Sequence, residues 1–270
     1  MFGFAISTTL GRTAPARATI IATRNWTPAD LGSAVAWWDA EKGITLAGTG
    51  VARWIDRIGG QTVTQSAASA QPAFDGAARN GKAGLVFGSG QFLTGGIGAL
   101  PVAAKAHTLL VAAHATGADR YNATVLSWGA RGTNASRSLR VRGAHEGVIM
   151  SFYSNDYNGA ASWSGRDRTV AHQMDDQGNG LFWADGLADS PHQVAGVETG
   201  ATATNIGTHV QNTAHTVNGM TVQQIVIAGA VLSTTDRQRL EGWASWHTGR
   251  GGRELSADHP HRNARPQVAA

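Results

Sequence analysis

Hydrophobic and polar positions follow one another along most of this chain in short runs, but a stretch near the C-terminus has a longer period. Between Leu232 and His247, residues Leu240, Trp243, Ala244 and His247 recur at helical steps and define a single stripe. Ser233 stands three residues before Asp236, so its hydroxyl can accept an otherwise unpaired backbone N–H while the carboxylate favours the positive helix end. Gly249 offers a left-handed stop. The spacing predicts a helix over 234–247, packed by its stripe on something large.

No second helical pattern of comparable length occurs; the rest reads as strands and turns. His107–His114 and Met220–Ala228 are almost continuously apolar, as in strands buried on both faces. Ser138–Arg142 alternates, which predicts Leu139 and Val141 inward with Arg140 and Arg142 outward. Gly147–Tyr153, Thr169–Met174 and Gly180–Ala184 continue the series, separated by Gly, Asn, Asp and Ser. Ala184-Asp-Gly186 is a tight-turn signal that closes a hairpin. Two facing antiparallel sheets bury this many short strands, so the fold class is all-β.

Composition narrows the reading. The chain has 270 residues, 35 of them glycine and none cysteine. A β-sandwich of this length can be one domain, and its core needs no covalent staple. Disulfides and thiolate metal sites are excluded. The formal net charge of +4 is unevenly placed. Arg12, Arg17 and Arg24 stand in residues 1–25 without any acid, and four arginines beyond residue 249 outnumber Glu254 and Asp258, which leaves the body close to neutral. Such a body lacks the concentrated positive face of a nucleic-acid-binding domain. The basic ends are either solvated arms or segments that dock on acidic surfaces of neighbouring subunits. Residues 1–25 lack the cationic start and long apolar run of a secretory signal, and no stretch is apolar enough to span a membrane, so neither is expected.

Most chemical motifs fail on inspection. Gly76–Lys82 matches the first seven positions of a phosphate-binding loop, but Ala83 replaces the hydroxyl that would hold magnesium, and a strand follows instead of a helix. The ten histidines include no His-Glu-x-x-His. The loop 154–163 is richer, combining Asp156, Tyr157, Asn158 and Trp163. Aromatic faces stack on sugar rings while acids and amides fix the hydroxyls, and such sites sit on loops held by a rigid sandwich. Asp175–Asn179 is a second acidic, amide-rich loop. Asp156, Asp175, Asp176 and Asn179 are the candidates for calcium, which takes several carboxylate, amide and carbonyl oxygens, although neither loop has the spacing of an established calcium loop. The alternative for both is a solvated hairpin turn with its aromatics packed back on the sheet. Trp37, Trp54, Trp183 and Trp243 are expected in the core, Trp38 and Trp246 partly exposed. Arg131, Arg137, Arg140 and Arg142 form an acid-free stretch, either a solvated strand face or a surface for anionic glycan or a neighbouring subunit.

Both ends of the chain carry a recognisable pattern. Leu232, Ser233, Asp236, Arg237, Leu240, Glu241 and Gly242 are followed by Leu255, Asp258, His259 and Pro260; Trp26–Leu31, Ala36–Ala40 and Val51–Asp56 open the body, with Gly84–Phe87 and Phe92-Leu93 after them. In these residues the chain resembles the concanavalin A-like lectin/glucanase (laminin-G-like jelly roll) domains of bacteriophage structural proteins and bacterial surface proteins, with Trp243 where the family often has tyrosine. The resemblance spans residues 26 to 262 and is sparse from 117 to 200. It implies a jelly-roll β-sandwich over 26–249, with the helix packed on it, an extended basic arm over 1–25, and a tail over 250–270 that packs on the sandwich and then extends. It further implies a virion component, made in the host cytoplasm, that acts as a tail fibre, spike or capsid decoration module, with the bacterial cell surface or the extracellular space as the alternative location. Such a protein would form a homo-oligomer, be held to other subunits by its arm and bind host surface glycan, with no cofactor beyond calcium. Arg12, Arg17, Arg24, Arg140 and Arg142 are the assembly contacts on this view.

The same family includes glucanases, whose paired carboxyls stand on one strand as Glu-x-Asp-x-x-Glu or Glu-x-Asp-x-Glu. Glu41, Glu146, Glu198, Glu241 and Glu254 show neither spacing, and Asp175 and Asp176 are adjacent, so on a strand they face opposite sides, whereas in a loop they could converge. The expectation is therefore a non-enzymatic adhesion protein. A glycan-degrading hydrolase and a structural module without ligand are the alternatives.

Overall fold

The strand Met220–Ala228 is buried along its whole length because it has neighbours on both edges and on both faces. The computed structural model describes residues 23–116, 123–141, 147–163, 165–210 and 215–269. His107–Ala115 runs antiparallel along one edge of the central strand, while Ala34–Asp39 and Lys82–Phe87 share the other. Beyond His107–Ala115 follow Asp167–Met174, Asn179–Ala184 and the short strands Leu187–Ala188 and His192–Gln193. The facing sheet starts at Asp156–Asn158 and passes through Val148–Ser151, Ser136–Val141, Ala123–Gly129, Ala203–Ile206 and Leu93–Gly95. It ends in Thr62–Thr64, Gly50–Ile55 and Ile44–Ala47. Ala73–Arg79 pairs with Lys82–Phe87 and touches Gly50, which joins the sheets at one edge. The chain is thus the expected all-β, antiparallel sandwich with one short helix.

Alternation sorts the long strands into two interiors. Trp38, Leu109, Val111, Ile225 and Ile227 point between the sheets, towards Trp54, Phe87, Trp128 and Trp163. Trp37, Leu110, Ala112, Val226 and Ala228 point the other way, towards Leu240, Trp243 and Ala244 of the helix Thr234–His247. Burial on both faces is why these strands read as continuous apolar runs. The helix starts where the sequence places it, with Asp236 N–H donating to Ser233 Oγ at 3.1 Å. Trp243 meets Trp37 edge-on at 5.2 Å between ring centres. Gly242 has no side chain because a Cβ there would lie 2.3 Å from Cβ of His261, so the tail lies directly on the helix. Arg237 donates to both carboxylate oxygens of Glu241 at 2.7 Å, and His259 Nε2 sits 3.2 Å from the same carboxylate. Three residues of the C-terminal motif thereby form a buried clasp between helix and tail. The tail ends in Gln267–Ala269, paired with Thr23–Asn25.

Ala184 pairs with Leu187 across Asp185 and Gly186, which have φ of 53° and 83°, the two positive angles of a type I′ hairpin. Several side chains depart from expectation. Trp38 is fully buried, because alternation in Ala34–Asp39 turns it between the sheets. Trp183 packs beside the helix cluster but is only half-buried, with the guanidinium of Arg237 4.4 Å above its ring. Arg140 does not face solvent. All of Ser136–Val141 is buried between neighbouring strands, and Arg140 lies 3.8 Å from the carboxylate of Asp156. Arg24 is exposed and donates to Asp30 of its own chain at 2.9 Å. Arg12, Arg17 and Arg142 lie outside the described residues. No helix among the described residues is long and apolar enough to cross a membrane.

Candidate functional site

The edge of the helix-bearing sheet folds into a groove of about 510 Å³, within the range of small-molecule sites. Asn179, Leu181 and Trp183 line it at alternate positions of one strand; Asp175, His192 and Gln193 complete the wall. The turn that forms one end is held by Asp175. Its Oδ1 accepts from the backbone N–H of Gln177 at 3.0 Å and of Asn179 at 2.8 Å, and its Oδ2 accepts from Asn179 Nδ2 at 2.8 Å. Slight burial opposes the charge, but these bonds outweigh it and hold the carboxyl below its ordinary value. Asp175 and Asn179 therefore meet in a turn clamp in which both Asp175 oxygens are already engaged by N–H groups. Asp176 is exposed in the same turn, and Asp156 stands on a strand of the other sheet. The four calcium candidates do not form one oxygen cage.

The loop 154–163 does not converge on a ligand either. Asp156 and Asn158 are exposed, whereas Tyr157 between them turns inward by strand alternation. Its ring stacks on His192 at 3.6 Å with 11° between planes, and its hydroxyl donates to Ser190 O at 2.7 Å. Trp163 is fully buried, its indole N–H 3.3 Å from Arg168 O, and presents no face for a sugar. The partly exposed tryptophan at the groove is Trp183 instead.

His192 was not legible as a site residue, yet it ends a buried polar chain. Arg137, without exposed surface, approaches His107 Nδ1 at 2.8 Å; His107 Nε2 lies 3.0 Å from His172 Nδ1; His172 Nε2 lies 3.2 Å from His192 Nε2. Burial, reinforced by the charge of Arg137, keeps His107 and His172 far below the usual histidine pKa, and burial lowers His192 to about 4. Burial also brings Arg137 down to about 10, which leaves it charged at neutral pH. The only sequence signal was a polar ring within the apolar runs His107–Ala115 and Thr169–Met174.

Two further clusters hold carboxyls. A cleft of about 320 Å³ is lined by Asp185, Asp189, Glu254, Arg168, Phe182 and Leu187, among others. Burial raises Asp185 to about 6 although Thr169 N–H donates to it at 2.8 Å and Arg168 Nε lies at 3.0 Å. Asp39, Glu41 and His247 bring ligand atoms within 4.8 Å of one another, the one such trio among the described residues. Asp39 already accepts from Arg57 and Gln224 at 2.8 Å, and Glu41 from Lys82 at 3.0 Å. Burial works against the Asp39 charge, but the His247 and Gln224 contacts prevail and lower it to about 2. With an imidazole in the trio and two cations on its carboxylates, the donor set fits calcium poorly.

No protein-family model and no curated protein matches this sequence. Solved structures do match. Domain 4 of AbnA, a GH43 extracellular arabinanase from Geobacillus stearothermophilus, solved with arabinotriose, is 15% identical with a TM-score of 0.55; the match covers 77% of this chain and 98% of that one. Trypanosoma rangeli sialidase, solved as a covalent intermediate with 2,3-difluorosialic acid, is 15% identical with a TM-score of 0.53 over 76% of this chain and 32% of that one. The same sialidase with sialic acid is 17% identical, TM-score 0.53, over 80% and 33%. The chain spans about a third of the sialidases' length. These matches establish the β-sandwich, a fold found within glycan-acting proteins. They also correct the expectation of a non-enzymatic protein. Glycosidases contain this fold, so the missing Glu-x-Asp spacing of the glucanase branch excludes no hydrolysis.

Proposed function

We propose that this chain is a glycan-recognising β-sandwich of the concanavalin A-like lectin/glucanase type, and that the groove beside Trp183 is its sugar site. The observation that carries the reading is the groove itself: a half-buried tryptophan among Asn179, Gln193, His192 and Asp175, on the edge of a rigid sheet. The structural neighbours that hold arabinotriose and sialic acid support a glycan as ligand. The virion setting implied by the family resemblance and the enzyme setting of the neighbours share this recognition step. Titration of the full chain with arabinotriose and with sialic acid, beside a Trp183→Ala variant, tests it. Saturable binding that the variant loses is the expected result; binding that survives in Trp183→Ala moves the site elsewhere.

A second reading, hydrolysis by the chain itself, is favoured by Asp185. A carboxyl that holds its proton to about pH 6 beside Asp189 and Glu254 has the acidity of a general acid facing a second carboxylate. Release of sugar from an arabinan or a sialoside, abolished in Asp185→Asn, is the result that supports it; equal turnover by the variant removes Asp185 from the chemistry.

A further inference from the structure

Two hairpin turns of the sandwich ask the same of different residues. At Asp185-Gly186 the chain takes positive φ with residue types that tolerate it. Between Val148–Ser151 and Asp156–Asn158, closed by the Ser151–Asp156 pair, positive φ falls on Tyr153 and Ser154, at 56° and 73°. The Cβ of each makes this region costly, and Asn-Gly is the dipeptide that adopts it freely. No other adjacent pair of non-glycine residues shares it among the described residues. Neighbours hold the tip in place: Asn134 N–H donates to Tyr153 O at 3.3 Å, Tyr153 N–H to Ser151 Oγ at 3.4 Å, and Asn155 Nδ2 to Asn134 Oδ1 at 2.5 Å.

This costly tip displays a ring. Phe152, one residue earlier, is fully buried, whereas Tyr153 is 43% exposed and is the one aromatic among the large exposed apolar side chains of the described residues. Its inner face looks towards the buried ring of His209, with centres 6.5 Å apart and planes 29° apart, which leaves the outer face open. Ser154 and Asn155 beside it are exposed and bring a hydroxyl and an amide; the charge of Asp156, next along the chain, faces Arg140 at 3.8 Å. A flat open face bordered by hydroxyl and amide groups stacks on the C–H face of a sugar ring and hydrogen-bonds its hydroxyls. Single exposed apolar side chains need no explanation, but this one occupies a backbone conformation of the kind that clusters at ligand clamps.

We infer that Tyr153 is a second sugar platform of this chain, which takes one uncharged ring of a glycan on its outer face with Ser154 and Asn155 as partners for the hydroxyls. The class of ligand rests on the glycan reading above. The site does not rest on the groove, which Tyr153 does not line.

Arabinotriose, maltotriose and chitotriose, titrated into the full chain and followed by the backbone amide signals of residues 153–156 and 179–183, read the two sites apart. At least one of the three is expected to shift the signals of 153–156. Tyr153→Phe keeps the face and holds affinity there to within about threefold, whereas Tyr153→Asn removes it and weakens binding about tenfold. Because asparagine suits positive φ, Tyr153→Asn is expected to reach a urea midpoint at or above that of the wild type, and Ser154→Gly to raise the midpoint with affinity unchanged. Signals of 179–183 that shift while none of the three sugars moves 153–156 overturn the inference and leave the groove standing. The reverse removes the groove and keeps the platform; no shift at either place overturns both. A Tyr153→Asn variant with a lower midpoint and unchanged sugar affinity shows a ring kept for packing, and overturns the inference as well.

Discussion

The strand His107–Ala115 divides two interiors held together in different ways. On its helix side, Leu110 and Ala112 meet Trp37, Val226, Leu240 and Trp243, and burial is apolar. On the other side, at the same strand's start, His107 stands between Arg137 and His172 in a line of hydrogen bonds. Apolar contact has no direction, so loss there scales with the volume removed. A polar line has direction, so a change at one member leaves its neighbours unpaired or reorients their protons. Both interiors bury apolar side chains, but only the one between the sheets also holds a directed polar line.

Acid separates the two most sharply. Burial places His192 at about 4, His209 at about 3, and His107 and His172 well below the ordinary 6.5. Above pH 6.5 these rings are neutral in both folded and unfolded chains and contribute no pH dependence. Below it the unfolded chain takes up protons that the folded chain refuses, so stability falls as pH drops from 6.5 towards 4. Each fully buried ring adds a slope of about 1.4 kcal/mol per pH unit. Arg137 strengthens the refusal, and Asp189, the nearby carboxylate, weakens it at His192. Asp185 acts in the opposite sense, because its raised pKa lets the folded chain bind a proton between about 6 and 3.8, but it is one group against several. Urea unfolding from pH 7 to pH 4.5 is expected to show a loss of about 5 kcal/mol, the two fully buried rings over two units. A flat profile would mean that the buried rings accept protons in place.

The apolar interior responds to volume instead. Trp243→Ala is expected to cost about 3 to 5 kcal/mol, whereas Trp243→Phe keeps most of the contact with Trp37 and costs under about 1.5 kcal/mol. Neither variant is expected to alter the pH slope. Denaturant titration at pH 7 and pH 5 checks both statements.

That difference also decided what could be read in advance. The helix was legible because Ser233, Asp236 and the Leu240–Trp243–Ala244 stripe are local signals, and the two long strands because burial on both faces leaves few polar positions. The clasp of Arg237, Glu241 and His259 lay within the residues that carry the family resemblance, although its ion pairs have no local signal. The groove was legible only as the turn Asp175–Asn179. His192 belongs to a two-residue strand with no period. Its partners lie 20, 65 and 30 residues apart along the chain, so only tertiary structure brings them together. Trp163 and Trp183 exchange their expected places for a related reason. Which tryptophan keeps an open edge depends on what the opposite sheet and the helix cover, and composition of the loop around 154–163 carries no trace of that.

Arg137→Met tests the polar interior by itself. It leaves the carbonyl of Lys105 and the Nδ1 of His107 without the Arg137 donor, and the carbonyl of Ala103 with only the Thr199 N–H, at a cost of about 2 to 3 kcal/mol. Because the buried cation is gone, His107 and His172 accept protons more readily, so the acid loss below pH 6.5 becomes shallower although the protein is weaker at pH 7. A variant that is weaker at every pH by the same amount would show that Arg137 acts only as packing.

The smallest change is at the helix start. Ser233→Ala removes the acceptor for Asp236 N–H and is expected to cost about 1 kcal/mol. Ser233 follows Leu232, whose carbonyl accepts from Gln173 Nε2 at 3.1 Å, and Gln173 is the neighbour of His172. A helix start that shifts could therefore reach the histidine line through one side chain. If the two interiors are independent, Ser233→Ala leaves the His172 and His192 tautomers and the pH slope unchanged, and its cost adds to that of Arg137→Met within about 0.5 kcal/mol. A double variant that departs from additivity by more would make Gln173 the link between the apolar and polar halves, with the helix then bearing on the groove.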